Sequence, residues 1–122
     1  MLGTSCRTCQ RVSINKGVSY NGLDVNSNVV ERYMGVALNV SQNGIQLETD
    51  RMISAKFIML MFFDYRSHYV AARGEVVYSR QSDSGRFWTG ISFQGKNGDN
   101  LQFVRKLIQS YHYQKKVPIF VS

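Results

Sequence analysis

Between residues 12 and 93, apolar and polar positions alternate over short stretches broken by polar turns, which predicts strands rather than helices. Ile45-Gln46-Leu47-Glu48-Thr49 is the clearest case, with the period of a half-buried strand. Upstream, Val29 to Val40 reads as a long strand, extended through Tyr33-Met34-Gly35-Val36-Ala37-Leu38. Strict alternation there places Met34, Val36, Leu38 and Val40 on one face, and Asn39 with Ser41 on the other. Asn43-Gly44 between the two runs predicts a tight hairpin, because both residues accept positive φ at little steric cost. Nearer the start, Val18-Ser19-Tyr20 predicts a short strand closed by a turn at Asn21-Gly22, with a polar loop from Asp24 to Asn28. A loop with Asp50-Arg51 precedes Ala55 to Phe63, apolar on both faces and so expected to be covered on both sides. His68 to Ser79 follows, with Val70, Ala72, Val76 and Tyr78 assigned to one face. Gln81 to Gly85 makes a polar turn, and Phe87 to Phe93 a final strand.

From about Gly98 the period changes. Leu101, Val104, Leu107, Ile108 and Tyr111 fall on one helical stripe, with Arg105, Lys106, Gln109 and Lys116 off it. Asn97 or Asp99 suits the cap of this helix, and Pro118 ends the region. About six short antiparallel strands followed by one helix predict a mainly β fold, closed as a barrel or stacked as a sandwich to remove exposed edges.

Composition adds a partner question. At 122 residues with 43% hydrophobic content, the chain is long enough for a core and too apolar for disorder. Its net charge of +7 suits nucleic acid, a nucleotide or an acidic protein surface. The N-terminus carries no apolar signal segment, and Phe57 to Phe63 is far too short to span a bilayer, so a cytoplasmic location is expected. No nucleophile–His–acid set or paired carboxylates appear, so catalysis is not expected. Cys6 and Cys9 would need a second ligand pair to hold zinc, and His68 and His112 are far apart in sequence. They are read as reduced cysteines without a metal.

Two stretches carry candidate binding chemistry. Arg7 and Arg11 stand four residues apart in a segment without apolar periodicity, read as an exposed arm. A guanidinium is a planar fork of donors that matches phosphate oxygens or a guanine edge and stacks on a base. Asn39 and Ser41 place an amide and a hydroxyl beside Gly44, where a ligand or another backbone has room. Taken separately, the first reads as a solvated basic arm and the second as polar groups capping a turn.

Together the two resemble the signature of the PilZ domain family. Arg7-x-x-x-Arg11 matches its R-x-x-x-R arm, and Asn39-x-Ser41-x-x-Gly44, beginning 28 residues after Arg11, matches its (D/N)-x-S-x-x-G turn. Gly74-Glu75-Val76-Val77-Tyr78 and Gly90-Ile91-Ser92-Phe93 resemble two further strands of the family. The resemblance implies a six-stranded antiparallel barrel with a C-terminal helix, divided as an arm over 1–12, a barrel over 13–95 and a helix over 97–116. It implies cyclic di-GMP as ligand, with no cofactor. Arg7 and Arg11 would meet phosphate and guanine, Asn39 and Ser41 a guanine edge or phosphate, and Gly44 would hold the turn and leave room. Tyr78 matches the position where some relatives stack an aromatic ring on a base. Trp88 is the lesser candidate, read as barrel packing. Asn39 departs from the commoner aspartate, keeping an acceptor but losing the charge.

If the ligand binds, the arm's lack of apolar periodicity suggests a segment that orders on the ligand and changes the surface offered to a separate partner protein. Motility, attachment and exopolysaccharide synthesis are the family's usual outputs. Two other readings share the pattern: a PilZ-type barrel acting only as a protein–protein adaptor, and a basic barrel binding single-stranded nucleic acid. Intact Arg7, Arg11, Ser41 and Gly44 argue against the adaptor, whereas nucleic acid would show sequence-tolerant, strongly salt-dependent binding and the cyclic dinucleotide saturable binding lost on Arg7→Ala or Arg11→Ala.

Overall fold

A computed structural model of the chain describes residues 11–116; Cys6, Arg7, Cys9 and Pro118 lie outside the described residues. Six strands appear in order: β1 (Val12–Leu23), β2 (Val29–Val40), β3 (Gly44–Thr49), β4 (Phe57–Phe63), β5 (Tyr69–Gln81) and β6 (Phe87–Phe93). One helix follows, α1 (Asn97–Lys116). The strands close into an antiparallel barrel in the order β1-β2-β3-β6-β5-β4, with β4 returning to β1 through pairs such as Tyr20 with Leu60. Closure pairs the strands all the way round, so no open sheet edge remains.

Alternate residues of each strand fill the interior, among them Val18, Tyr20, Ala37, Val40, Ile45, Leu47, Ile58, Leu60 and Ile91. The helix adds Phe103, Val104 and Leu107 to this core. Phe103 meets Phe62 and Phe93 edge-on, at ring separations of 5.4 and 5.6 Å. Leu101, expected on the buried stripe, is exposed instead. The buried face is centred on Asn100, Phe103, Val104, Leu107 and Ser110, and Leu101 falls at its margin.

Other expectations also change. Asn21-Gly22 is not a turn, for β1 runs through it and pairs Gly22 with Glu31. The chain reverses at Asp24 to Asn28 instead. The strand Phe57–Phe63 is covered on one side only: Ile58, Leu60 and Phe62 point into the barrel, while Phe57, Met59 and Met61 are half-exposed and Phe63 is exposed. Its outer face is partly sheltered by cations, Arg73 lying 5.5 Å from the Phe57 ring.

Two loops share one design. Asp24 Oδ1 accepts the backbone N–H groups of Asn26 and Asn28 at 2.8 and 2.9 Å, and Asp64 Oδ1 accepts those of Arg66 and His68 at 2.9 and 2.8 Å. At the fourth position of each, Ser27 and Ser67 take positive φ of 66° and 65°. Asp64 is buried as well, with Oδ2 3.6 Å from His68 Nδ1 and 3.7 Å from Lys106 Nζ of α1. Burial works to raise its pKa, but the N–H groups of His68 and Arg66, with His68 and Lys106 nearby, outweigh it and hold the carboxyl below its ordinary 3.8. A depressed pKa contributes stability above the unfolded value and loses it as pH falls through the folded one. Thermal melts of wild type and Asp64→Asn should therefore differ at neutral pH and converge as pH drops below about 4.

Candidate ligand-binding site

The turn between β2 and β3 is held by its own polar groups. The Ser41 N–H donates to the Gly44 carbonyl at 2.8 Å, and the Asn43 N–H donates to Ser41 Oγ at 3.3 Å. The Phe93 N–H donates to the Asn43 carbonyl at 3.0 Å, tying the turn to β6. Among the described residues only Ser27, Ser67 and Gly85 have positive φ, so neither Asn43 nor Gly44 uses the conformation expected of it. Glycine is required at 44 for a different reason. A Cβ there would stand 2.5 Å from the Ile91 carbonyl oxygen, because β6 passes directly against the turn. Ser41 is buried beside it.

Two β-bulges decide which side chains join this turn. In β2 the pairing with β3 shifts between Ala37 and Asn39, leaving Leu38 as the extra residue. Alternation therefore breaks: Gly35, Ala37 and Val40 face inward, while Met34 is 70% exposed. The expected face of Met34, Val36, Leu38 and Val40 does not exist. In β5 the pairing with β6 shifts between Val76 and Tyr78, leaving Val77 as the extra residue. Tyr78 consequently leaves the face of Val70, Ala72 and Val76 and turns outward. Its ring covers Gly90, where any Cβ would run into it.

The outcome is a row across four strands: Asn39 opposite Gln46, Gln46 opposite Gly90, and Gly90 opposite Tyr78. Hydrogen bonds follow the row. Asn39 Nδ2 donates to Gln46 Oε1 at 2.7 Å, and Gln46 Nε2 donates to the Tyr78 hydroxyl at 3.0 Å. Beside the row lies a shallow depression of about 270 Å³, lined by Arg11, Ser41, Asn43, Gly44, Val77, Tyr78 and the Gly90–Ser92 segment. Arg11, Ser41, Gly44 and Tyr78 thus meet at one place, and Asn39 connects to it through Gln46. Arg7 lies outside the described residues.

Trp88 is not barrel packing. Its neighbour Thr89 points inward, and the half-buried indole lies on the outer face, donating to Glu48 Oε2 at 3.2 Å. Arg80 spans the Tyr78 and Trp88 rings at 5.8 and 5.6 Å, and Arg86 pairs with Glu48 at 3.2 Å. Glu48 is thereby matched by a cation and an N–H donor, so it leaves little unbalanced negative charge near the depression. A larger groove of about 680 Å³ runs between β5 and α1, but its Asp64, His68 and Lys106 already face one another. Among the described residues no cluster of His, Cys, Asp and Glu suits a metal ion, and no helix is long and apolar enough to cross a membrane.

No protein-family model matches the sequence, and no curated protein matches it. Solved structures do. The Bacillus subtilis inhibitor of motility MotI/DgrA aligns over 86% of this chain at 12% identity with a TM-score of 0.60. K. pneumonia MrkH in its apo state aligns over 87% at 16% identity and 0.54, and a second crystal of it over 87% at 17% and 0.55. The fold is PilZ-like. The chain spans about half the length of these proteins, 51% of the first two.

In this PilZ-like barrel, sequence reasoning missed Gln46 and Val77. Gln46 was visible as the outward member of Ile45-Gln46-Leu47, but its partners depend on the two bulges. The close approach at Gly44 has a direct test. Gly44→Ala should lose about 1–3 kcal/mol in ligand-free unfolding, since the Cβ presses on backbone that cannot swing aside. Unchanged stability with weakened binding would show instead that Gly44 serves only to make room for a ligand.

Proposed function

We propose that the domain is a receptor for cyclic di-GMP that passes its signal to a separate protein. One observation carries this reading: Arg11, Ser41, Gly44 and Tyr78, drawn from the entry to β1, the β2–β3 turn and β5, line one depression. Arg11 supplies the charge for a phosphate or the plane and donors for a guanine. Tyr78 and Val77 offer an aromatic face and an apolar wall for a base, and Ser41 and Asn39 offer polar groups at its edge. The depression is smaller than the ~300–1,000 Å³ usual for a ligand pocket, so it takes one part of the dinucleotide. On this reading the residues before β1 form the arm, Val12 already belonging to the barrel, with Arg7 completing the grip and the arm ordering when ligand arrives. The whole of 1–122 then works as one unit in the cytoplasm, where the messenger acts. Control of motility or attachment is the proposed output, in keeping with the name of the B. subtilis neighbour.

Calorimetric titration of the full chain with cyclic di-GMP tests the reading. Saturable heat at a fixed molar ratio is expected, and that ratio tells one ligand from a stacked pair. A second reading, single-stranded nucleic acid, draws support from the net charge of +7 and the exposed rings of Phe63, Tyr65, Tyr69 and Tyr113. It predicts instead no heat with the dinucleotide, and binding to oligonucleotides that weakens steeply with salt.

A further inference from the structure

Asn39 presents a problem that an aspartate in its place would not. A carboxylate offers acceptors whichever way it turns, whereas an amide offers an acceptor or a donor according to how its plane is set. Here the plane has a fixed neighbour. Asn39 Nδ2 donates to Gln46 Oε1, and Gln46 Nε2 in turn donates to the Tyr78 hydroxyl. All donors along this chain therefore point toward Tyr78. The Asn39 end is left with a carbonyl oxygen, and the Tyr78 end with a hydroxyl proton to give. That Asn39 Oδ1 atom is shielded from water and has no hydrogen-bond partner. A buried acceptor without a donor costs free energy, so the arrangement is complete only when something supplies one.

Resting on the cyclic di-GMP reading above, we infer that Gln46, held between Asn39 and Tyr78, is a positioning residue that keeps the Asn39 carbonyl available to a base edge rich in donors, and so selects guanine over adenine. The Watson–Crick edge of guanine carries N1–H and N2–H₂ donors; at the same place adenine N1 is an acceptor and would meet Oδ1 unfavourably. Asn39 as a residue is half-buried in the outer row, so a base edge arriving on that face would meet Oδ1 with the Gln46 bond still setting the amide plane. The opposite polarity also closes both bonds, with Tyr78 donating to Gln46 Oε1 and Gln46 Nε2 donating to Asn39 Oδ1. It would expose the Asn39 NH₂ group and favour adenine. The two arrangements make opposite predictions about the ligand.

The experiment compares cyclic di-GMP and cyclic di-AMP affinities for the full chain in wild type, Gln46→Leu and Tyr78→Phe. Wild type should prefer cyclic di-GMP. Gln46→Leu, which frees the Asn39 amide to turn either way, should lower the guanine-to-adenine affinity ratio about tenfold, the worth of one hydrogen bond. Tyr78→Phe keeps the ring but removes the acceptor for Gln46, and should lower the ratio by a smaller factor. It also decides the matter if the leucine variant does not fold. Variants that weaken both ligands equally would overturn the positioning role while leaving the receptor reading standing. A wild-type preference for cyclic di-AMP would overturn the assigned polarity. Binding of neither ligand to wild type would overturn the receptor reading and this inference with it.

Discussion

Replacing Arg11 by alanine is expected to weaken cyclic di-GMP binding about 10- to 100-fold without changing the melting temperature. The magnitude follows from losing a charge-assisted hydrogen bond, worth about 1.5–3 kcal/mol where the partner is an ion. The unchanged stability follows from position. Arg11 precedes β1, is exposed, and lines the depression without belonging to the core. Arg11→Lys separates the two properties of the guanidinium. It keeps the charge but loses the planar fork, so it should restore only part of the affinity if the contact is bidentate or stacked. Titration calorimetry on the three proteins, with melting curves alongside, reads both quantities. Alanine and wild type binding equally would remove Arg11 from the site.

Phe103→Ala should destabilise the fold by about 3–5 kcal/mol, the cost of emptying a large core position that cannot collapse. Phe103 is 1% exposed and packs edge-on against Phe62 of β4 and Phe93 of β6, so one ring joins the helix to two strands that are not neighbours. Removing it takes from both rings their edge contact with α1 and loosens the attachment of the helix. Leu101→Ala is the matched control. The periodicity of the sequence groups Leu101 with the core, but it is 41% exposed, and its loss should cost within about 0.5 kcal/mol, as for a surface position. Denaturant unfolding of both variants distinguishes the two assignments. Comparable losses would contradict the burial pattern of α1.

Much of this protein was legible as sequence because much of it depends on short-range periodicity. Five of the six strands and the helix stand close to where alternation and the later change of period put them; β1 is the exception, running from Val12 to Leu23 where the pattern marks only Val18–Tyr20. The polar loop at Asp24 to Asn28 is marked by its composition, as is the turn expected at Gln81 to Gly85, which begins one residue later because Gln81 still pairs with Phe87 in β5. Arg11, Ser41 and Gly44 were selected by spacing, and they do stand together. Alternation, however, predicts a face only while each residue advances the strand by one step. Leu38 and Val77 each add a step that the neighbouring strand does not match, and every side chain beyond them changes sides. Neither leucine nor valine marks a bulge by type. Where the mismatch falls is set by pairing across the closed barrel, between residues such as Val76 and Ile91 that are distant in sequence. The sequence by itself therefore determined most of the elements, the place of the β2–β3 turn and the polar residues gathered beside it. Only the tertiary structure decided that Asn39, Gln46 and Tyr78 share one outer row, because register between strands is a property of the closed barrel.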